Sequence, residues 1–153
     1  MERIVIRRAA EEDLAEIVAL SREHAQYEAA AYVYDNQEEG LREALFGPTP
    51  SLHAWVVAAG GEPVGYMSAT RDFATWTAKP FLHMDCLYLR RQFRRMGIGA
   101  RLIACLADFA REQGIGLIQW QTPRDNEQGI AFYERIGASA KDKKRYFLPV
   151  PRA

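Results

Sequence analysis

The chain has 153 residues, of which 48% are apolar and 26% charged, and its 20 Lys and Arg residues balance its 20 Asp and Glu residues. A chain of about this length buries enough surface for one apolar core, and its two cysteines, Cys86 and Cys105, form no CxxC pair. Disulfide scaffolds, zinc sites and iron–sulfur centres are therefore excluded. Because no apolar run reaches the roughly 20 residues of a membrane span and the N-terminus is charged, we expect a cytoplasmic protein with no membrane partner.

Hydrophobic periodicity and turn residues predict an alternating series of strands and helices along the chain. The predicted elements are a strand at 3–7, helices at 14–27 and 37–46, strands at 53–59, 64–70 and 81–89, a helix at 100–113, a strand at 116–121, a helix at 126–136 and a strand at 145–148. Gly60 and Gly61 indicate a tight hairpin turn between the second and third strands. An antiparallel first part followed by βαβ units predicts an α+β fold with one mixed sheet and helices on both faces. With no linker or repeat, residues 1–153 are expected to form a single domain.

The most informative segment is Arg94-Arg95-Met96-Gly97-Ile98-Gly99-Ala100, between a predicted strand and a long helix. Two glycines let backbone N–H groups surround an anion, and the start of the helix adds unpaired N–H groups and its positive dipole end. A dinucleotide loop would need a third glycine or alanine at Leu102, and a Walker A loop would need Gly-Lys-Ser/Thr. The segment therefore predicts a phosphate cradle, although glycines in a strand-to-helix turn also serve geometry alone.

Arginines crowd around this loop, and their clustering favours phosphate binding. They are Arg90, Arg91, Arg94, Arg95 and Arg101. The alternatives are that they are merely solvated or that they contact nucleic acid. A nucleic-acid surface would interleave aromatic residues with the basic ones, and only Phe93 does so here, so we expect no nucleic-acid partner.

The loop pattern R-x-x-G-x-G resembles the acetyl-CoA pyrophosphate motif of the GNAT family of N-acetyltransferases. The resemblance extends to HMDCLYL at 83–89, which is similar to the family's fourth strand, and to NEQGIAFYERIGA at 126–138, which is similar to its C-terminal signature. The opening IVIRRAAEEDLAEI also matches the usual first strand and helix. The resemblance implies the GNAT fold, with two splayed strands that hold acetyl-CoA, direct acetyl transfer to a primary amine, and often a homodimer.

Carried over residue by residue, the resemblance implies a set of acetyl-CoA contacts. Backbone groups of the fourth strand hydrogen-bond the pantetheine arm, loop residues hold the pyrophosphate, and Arg101 is a further phosphate candidate. The implied residues are Leu87, Leu89, Arg94, Arg95, Met96, Gly97, Ile98, Gly99, Ala100, Asn126 and Tyr133. Asn126 also has a simpler explanation, since it can cap the helix that begins there, and both roles are compatible.

Two residues are implied to be catalytic. Asp85 occupies the position at which many relatives carry a glutamate that acts as general base, and its alternative role is to attract the cationic acceptor. Tyr133 matches the tyrosine that protonates the departing CoA sulfur, and its alternative role is to pack in a stripe with Ile130 and Ile136. Alternation places Asp85 on the same strand face as Leu87.

The acceptor site is less well defined by the sequence. Tyr27, Glu28, Trp76 and Asp85 look like acceptor-binding residues of the diamine and polyamine N-acetyltransferases, although Trp76 and Tyr27 could serve packing alone. Alternation sends His83 to the same face as Asp85 as a reserve residue of the acceptor lining and sends Cys86 to the core, whereas His24 and His53 carry no signal.

The acceptor itself remains open: a polyamine, an amino acid, an aminoglycoside or a protein lysine. We expect a small-molecule amine, polyamine or amino-acid-like. The alternatives are an acetyltransferase that acts on a protein amine and a non-catalytic module that binds acyl-CoA without turnover. The presence of both Asp85 and Tyr133 argues against the non-catalytic module.

Overall fold

The structure is a computed structural model that describes residues 2–33 and 35–152. The strands are β1 (Ile4–Arg8), β2 (His53–Ala59), β3 (Glu62–Ala74), β4 (Lys79–Leu89) and β5 (Ile118–Gln119). The helices are α1 (Leu14–Tyr27), α2 (Gln37–Phe46), α3 (Ile98–Glu112) and α4 (Glu127–Arg135). The chain forms two units, the first up to Pro123 with every strand and α1 to α3, and the second from Arg124 with α4. The predicted order of elements is confirmed as far as α4.

The five strands form one sheet in the order β1-β2-β3-β4-β5. The pairs from β1 to β4 are antiparallel, and β5 runs parallel to β4. The β2–β3 hairpin turns at Gly60 and Gly61, whose φ angles of +58° and +89° explain why glycine stands at both positions. The predicted mixed, mostly antiparallel sheet is therefore confirmed.

Helices α1 and α3 cover opposite faces of the sheet. Ile17 and Leu20 of α1 pack against Val56 of β2 in a buried cluster. The next residue towards the N-terminus of β2, Trp55, lies edge-on to Phe109 of α3, with ring centroids 5.4 Å apart. Because consecutive strand residues point to opposite faces, these contacts place α1 on one face and α3 on the other.

The start of α1 is held by a buried carboxylate. Asp13 accepts two hydrogen bonds from the Arg7 guanidinium, at 2.7 and 2.9 Å, and one from the Ala10 N–H at 2.7 Å. The hydrogen bonds from Arg7, above all, hold the pKa of the Asp13 carboxyl below its usual range. A charged Asp13 therefore joins β1 to the first turn of the helix.

The strand predicted at 145–148 is wrong. From residue 139 to 152 the structure has no helix or strand, and residues 141–150 are exposed. The sequence there is β-prone, but a strand exists only when a neighbour completes its hydrogen bonds. Within this segment the Arg145 guanidinium lies over the Phe147 ring at 4.9 Å, which is a local contact in place of a ladder.

The described residues contain neither a membrane-spanning helix nor a cluster of metal ligands. None of the helices in residues 2–33 and 35–152 is long and apolar enough to cross a membrane. Over the same residues, no group of three or more His, Cys, Asp or Glu side chains is arranged to hold a metal ion.

Candidate active site

A β-bulge interrupts β4 at Asp85. Cys86 pairs with Ser68 of β3, whereas Met84 pairs with Ala69, the next residue along β3. Asp85 is therefore the extra residue, with no partner of its own in the register. The bulge interrupts the alternation of side chains between the two faces of the strand. The prediction that Asp85 shares a face with Leu87 rested on that alternation and therefore loses its basis.

The bulge also turns the backbone of β4. The N–H of Leu82 donates to the Leu117 carbonyl on the β5 side at 3.0 Å, whereas the N–H of Arg90 donates to Val64 of β3 at 3.0 Å. In a regular strand, residues an even number apart point their N–H and C=O groups to the same side. Residues 82 and 90 are an even number apart and point to opposite sides, so the change of direction occurs at Asp85.

An opening between β4 and β5 follows from this geometry. β5 pairs with β4 at Leu82 and His83, and among the described residues of the sheet the part of β4 after the bulge has no strand partner on that side. Since the Arg90 N–H faces β3, the backbone groups of Leu87 and Leu89 face away from β3, into the opening. This is the backbone orientation that the predicted pantetheine contacts require. The Leu89 carbonyl already accepts a hydrogen bond from the Arg94 Nε at 2.7 Å, which leaves its N–H facing the opening.

The glycine-containing loop follows β4 and leads into α3. Arg95 and Gly97 both adopt positive φ, +62° and +77°, and Gly97 is the N-cap of the helix. The N–H groups of Ile98, Gly99 and Ala100 occupy the first turn, where an α-helix has no internal partners for them. Met96, Gly97 and Ala100 are exposed, so the amino end of α3 is accessible to an anion.

The arginines around the loop do not form one basic surface. Arg90 is paired with Glu23, with Nη2 2.9 Å from Oε1, and this hydrogen bonding raises the pKa of Arg90. The Arg94 guanidinium lies 4.5 Å from the centre of the Tyr27 ring and 5.5 Å from that of Tyr88. Of the predicted phosphate ligands, Arg95 and Arg101 are exposed, as is Arg91.

Asp85 is half-exposed, with its carboxylate next to two other side chains of β4. Its Oδ1 lies 3.8 Å from the His83 Nε2, and its Oδ2 accepts from the Cys86 Sγ at 3.7 Å. The sequence placed Cys86 on the opposite face from Asp85, and the bulge explains why the two side chains meet. Burial, above all, and then Asp85 raise the pKa of the Cys86 thiol to about 11, so this cysteine remains a neutral thiol.

Tyr66 interacts with four residues, His24, Glu28, Asp85 and Cys86. The sequence predicts two of them, Glu28 and Asp85, as acceptor residues. Burial, above all, and then Cys86, Asp85 and Glu28 hold the pKa of the Tyr66 hydroxyl above its usual range. His24 contacts both Tyr66 and Glu28, with distances of 3.1 Å from Nδ1 to the hydroxyl and 2.6 Å from Nε2 to the carboxylate. No signal in the sequence indicated a role for His24, but its spacing four residues before Glu28 on α1 is the one at which side chains of a helix meet.

The predicted acceptor residues are brought together except for one. Tyr27 lies beside Tyr88, with ring centroids 6.4 Å apart. Besides burial, which is the largest cause, the charges of Asp85 and Glu28 both raise the pKa of the Tyr66 hydroxyl. Trp76 instead lies in the turn between β3 and β4 with its side chain fully exposed. That turn is separated from Asp85 by six residues of β4, or roughly 20 Å of extended chain.

The second unit contains Asn126 and Tyr133. Asn126 is the N-cap of α4 and accepts a hydrogen bond from the Gly129 N–H at 3.3 Å, so its capping role is confirmed. A Cβ on Gly129 would lie 2.3 Å from the Asn126 Nδ2, which explains the glycine at that position. Tyr133 is partly buried on α4, with its ring centroid 5.4 Å from that of Phe132.

Comparison with known proteins gives a consistent result. Residues 8–138 match the Acetyltransferase (GNAT) family. This chain belongs to the GNAT family. The thialysine N-epsilon-acetyltransferase of Bos taurus is 31% identical over 143 residues, which cover 88% of this chain and 84% of that protein. That of Caenorhabditis elegans is 31% identical over 121 residues, 79% of this chain and 74% of that protein.

Solved structures support the same fold. An aminoglycoside N-acetyltransferase in complex with CoA superimposes with a TM-score of 0.77, covers 97% of this chain and 96% of its own, and is 15% identical. At that identity the likeness concerns the fold alone. As a GNAT enzyme, this chain is an N-acetyltransferase whose cosubstrate is acetyl-CoA.

The residues in the first unit fit acetyl-CoA. The amino end of α3, capped by Gly97, offers free N–H groups to a pyrophosphate, and a Cβ at Gly97 would meet no atom within 4 Å. The opening beside β4 presents the backbone N–H and C=O of Leu87, which can pair with an extended amide chain as an added strand does. The residues present therefore match the two polar parts of the cosubstrate.

Gly97→Val is expected to weaken acetyl-CoA binding by about 10²-fold or more, because a β-branched residue is strained at a φ of +77° and its methyl groups occupy the space at the amino end of α3. Isothermal titration with acetyl-CoA measures the change. The matched control is Gly114→Val at the other end of α3, where φ is +70° and a Cβ also meets nothing within 4 Å. Equal acetyl-CoA affinities for the two variants would exclude this loop as the pyrophosphate site.

Proposed function

We propose that this chain acetylates the terminal amine of a small amino acid with a lysine-like side chain. The observation that carries the proposal is the position of Asp85 in the bulge, beside the opening onto which the backbone of Leu87 faces. A carboxylate that attracts an amine and a backbone N–H that can polarise a thioester carbonyl thus lie next to each other on β4. The two curated relatives reported above are named for thialysine, an amino acid with such a side chain.

The acceptor amine must lose a proton before it can attack. An alkyl amine with a pKa of about 10.4 is only about 0.04% neutral at pH 7, which corresponds to a deficit of about 4.6 kcal/mol. Asp85 is the base of the proposed reaction, because its carboxylate is half-exposed and lies in the bulge, two residues before Leu87. The Nε2 of His83 lies 3.8 Å from the Asp85 carboxylate, which keeps His83 as the reserve residue of the proposed acceptor lining.

The leaving thiolate must gain a proton at the end of the transfer. Bound acetyl-CoA supplies an acetyl thioester, the activated group that the chemistry needs. Tyr133 is the proposed donor of the proton, since a thiol with a pKa of about 8.5 departs more easily beside a hydroxyl donor. The remaining contacts that the sequence predicts for the cosubstrate, from the loop residues and Asn126, belong to the same proposal.

Acidic and aromatic side chains support a cationic acceptor. Besides burial, the charges of Asp85 and Glu28 both raise the pKa of the buried Tyr66 hydroxyl. The rings of Tyr27 and Tyr88 lie with their centroids 6.4 Å apart. Carboxylates attract the ammonium groups of a small amino acid, and aromatic faces suit both its alkyl stem and its charge. Trp76 is left out of this acceptor site, because it is exposed in the β3–β4 turn.

We extend the proposal to the context in which the enzyme works. Residues 1–153 act as one N-acetyltransferase domain, and the family match over residues 8–138 spans both units of the chain. The enzyme is proposed to be a cytoplasmic homodimer without a nucleic-acid or membrane partner. The zero formal net charge and the Arg90–Glu23 pair, which neutralises part of the arginine cluster, support the absence of a nucleic-acid partner.

The test is an amine panel scored by release of free thiol from acetyl-CoA. Thialysine, lysine, ornithine, spermidine, an aminoglycoside and a lysine-containing peptide are compared at one pH. We expect the largest kcat/KM for thialysine, by about tenfold or more over spermidine and the aminoglycoside, because the two relatives reported above are named for that amino acid and because Glu28 and Asp85 offer one carboxylate for each of its two ammonium groups.

Other results would identify the alternatives. A preference for the peptide would make the chain an acetyltransferase of protein amines, and a preference for spermidine would make it a polyamine enzyme. If acetyl-CoA binds by calorimetry but no amine releases thiol, the chain is a non-catalytic acyl-CoA-binding module.

A further inference from the structure

His24 is a side chain of the acceptor cluster to which the proposed reaction gives no role. It lies in the last turn of α1, and its imidazole is mostly buried. Its ring stacks on Tyr88 of β4, with centroids 5.2 Å apart and an angle of 21° between the planes. The ring also meets the buried Tyr66 edge-on at 6.1 Å. Contacts on two sides therefore hold the imidazole in one orientation.

Both nitrogens of His24 have a defined partner. Nε2 lies 2.6 Å from the Glu28 carboxylate, which can only accept a hydrogen bond, so Nε2 carries the proton and donates. Nδ1 lies 3.1 Å from the Tyr66 hydroxyl, which can donate to a neutral imidazole or accept from a charged one. The donation from Nε2 to Glu28 is therefore the same in both states of the ring.

Glu28 occupies a place that does not favour a carboxylate. It is the C-cap of α1, where the helix dipole presents its negative end, and its N–H donates to the His24 carbonyl at 3.1 Å. A long acidic side chain at a helix end samples many rotamers unless a partner fixes it. His24 is that partner, and it engages Oε2, which leaves the second carboxylate oxygen for another donor.

We propose that His24 is a positioning residue for the acceptor: it fixes Glu28 so that the free carboxylate oxygen receives an ammonium group of the amine substrate. This inference rests on the proposed function, because it assigns Glu28 to the acceptor site. The imidazole touches neither the cosubstrate loop nor Asp85 in the contacts described above. Its effect is therefore on acceptor affinity and not on acetyl-CoA affinity.

The test compares His24→Leu and His24→Gln with the parent chain. We expect His24→Leu to raise the KM for thialysine and its calorimetric Kd in the presence of CoA by about tenfold, the scale of one lost charge-assisted hydrogen bond. We expect kcat and the KM for acetyl-CoA to change by less than about twofold, the pattern of lost ground-state binding. His24→Gln keeps an N–H donor and should recover most of the affinity.

Two controls separate positioning from a general loss of structure. His53→Leu makes the same change at another partly buried histidine, 4.8 Å from Phe109 on the face covered by α3, and should leave the thialysine Kd unchanged. In a Glu28→Gln background, His24→Leu should add almost nothing, since the two residues act through one hydrogen bond. Equal effects of His24→Leu with and without Glu28 would overturn the inference.

The binding readout also keeps this inference separate from the proposed function. If the parent chain turns thialysine over and His24→Leu binds thialysine equally well, the role of His24 is wrong and the function stands. If the parent chain binds thialysine tenfold more tightly than His24→Leu but releases no thiol, the positioning role stands and the function is wrong. If the parent chain neither binds nor acetylates thialysine, both are wrong.

Discussion

Tyr133→Phe is expected to lower kcat by 10²- to 10⁴-fold, while acetyl-CoA affinity and melting temperature change little. General-acid assistance contributes about that factor, or about 3 to 5 kcal/mol of barrier, whereas a structural hydroxyl contributes about 1 kcal/mol of stability. Phe keeps the ring and its contact with Phe132, so the substitution removes only the proton donor. Steady-state kinetics with thialysine, calorimetry with acetyl-CoA and a thermal melt measure the three quantities.

The matched control for this substitution is Tyr146→Phe, which removes the hydroxyl of an exposed tyrosine in the same unit. It should leave kcat, affinity and melting temperature unchanged. If Tyr133→Phe retains near-parental turnover, water or another group protonates the thiolate, and the acid role must be withdrawn. A loss of about 1 kcal/mol of stability lowers the melting temperature by a few degrees. If the melting temperature of Tyr133→Phe falls by much more than that, the hydroxyl serves packing in α4.

The parts of the site that the sequence predicts best depend on local geometry. The loop around Gly97 was predicted because a positive φ and free N–H groups at a helix start require glycine at a defined spacing, and the structure has both. The capping role of Asn126 is local in the same way, since its side chain reaches only to Gly129. Such features involve neighbours within a few residues, so a single sequence contains the necessary information.

The features that the sequence did not predict depend on the pairing of distant segments. The bulge at Asp85 is visible only when β3 and β4 are aligned, so strict alternation did not predict the contact between Asp85 and Cys86. The predicted position of Cys86 against the core is confirmed. The contact of His24 with Tyr66 likewise joins residues that lie 42 positions apart along the chain. The resemblance to polyamine N-acetyltransferases predicts Trp76 in the acceptor site, but the length of the β3–β4 hairpin carries it to an exposed turn.

The strand predicted at 145–148 is wrong because local propensity alone does not form a strand. Its residues have strong β-propensity, and three large apolar or aromatic side chains, Tyr146, Phe147 and Leu148, are exposed in the structure. Propensity describes how a residue fits a pleated surface once a neighbour is present, and it does not supply the neighbour. A short stretch of sequence reveals the propensity but not the neighbouring strand. This explains why the strand at 145–148 was predicted wrongly while β1 to β4 were predicted correctly.

Asp85→Asn is expected to lower kcat for lysine-like amines by about 10²-fold or more, with acetyl-CoA affinity nearly unchanged. The amide keeps the size and polarity of the side chain and can still meet His83 and Cys86, but it cannot accept the proton of an ammonium group. Asp85→Glu restores the carboxylate on a stem one methylene longer and should recover part of the rate. Thiol-release kinetics with thialysine and calorimetry with acetyl-CoA measure these effects.

A comparison of two acceptors separates a base from an electrostatic anchor. The sulfur in the side chain of thialysine withdraws electrons and makes its terminal amine less basic than that of lysine, so thialysine needs less help to become neutral. If Asp85 is the base, Asp85→Asn should reduce kcat more for lysine than for thialysine. If it is an anchor, both acceptors should show a raised KM with kcat preserved, because each carries the same charge. Asp72→Asn, on an exposed carboxylate of β3, should change neither parameter, which shows that the effect belongs to the bulge and not to the net charge of the sheet.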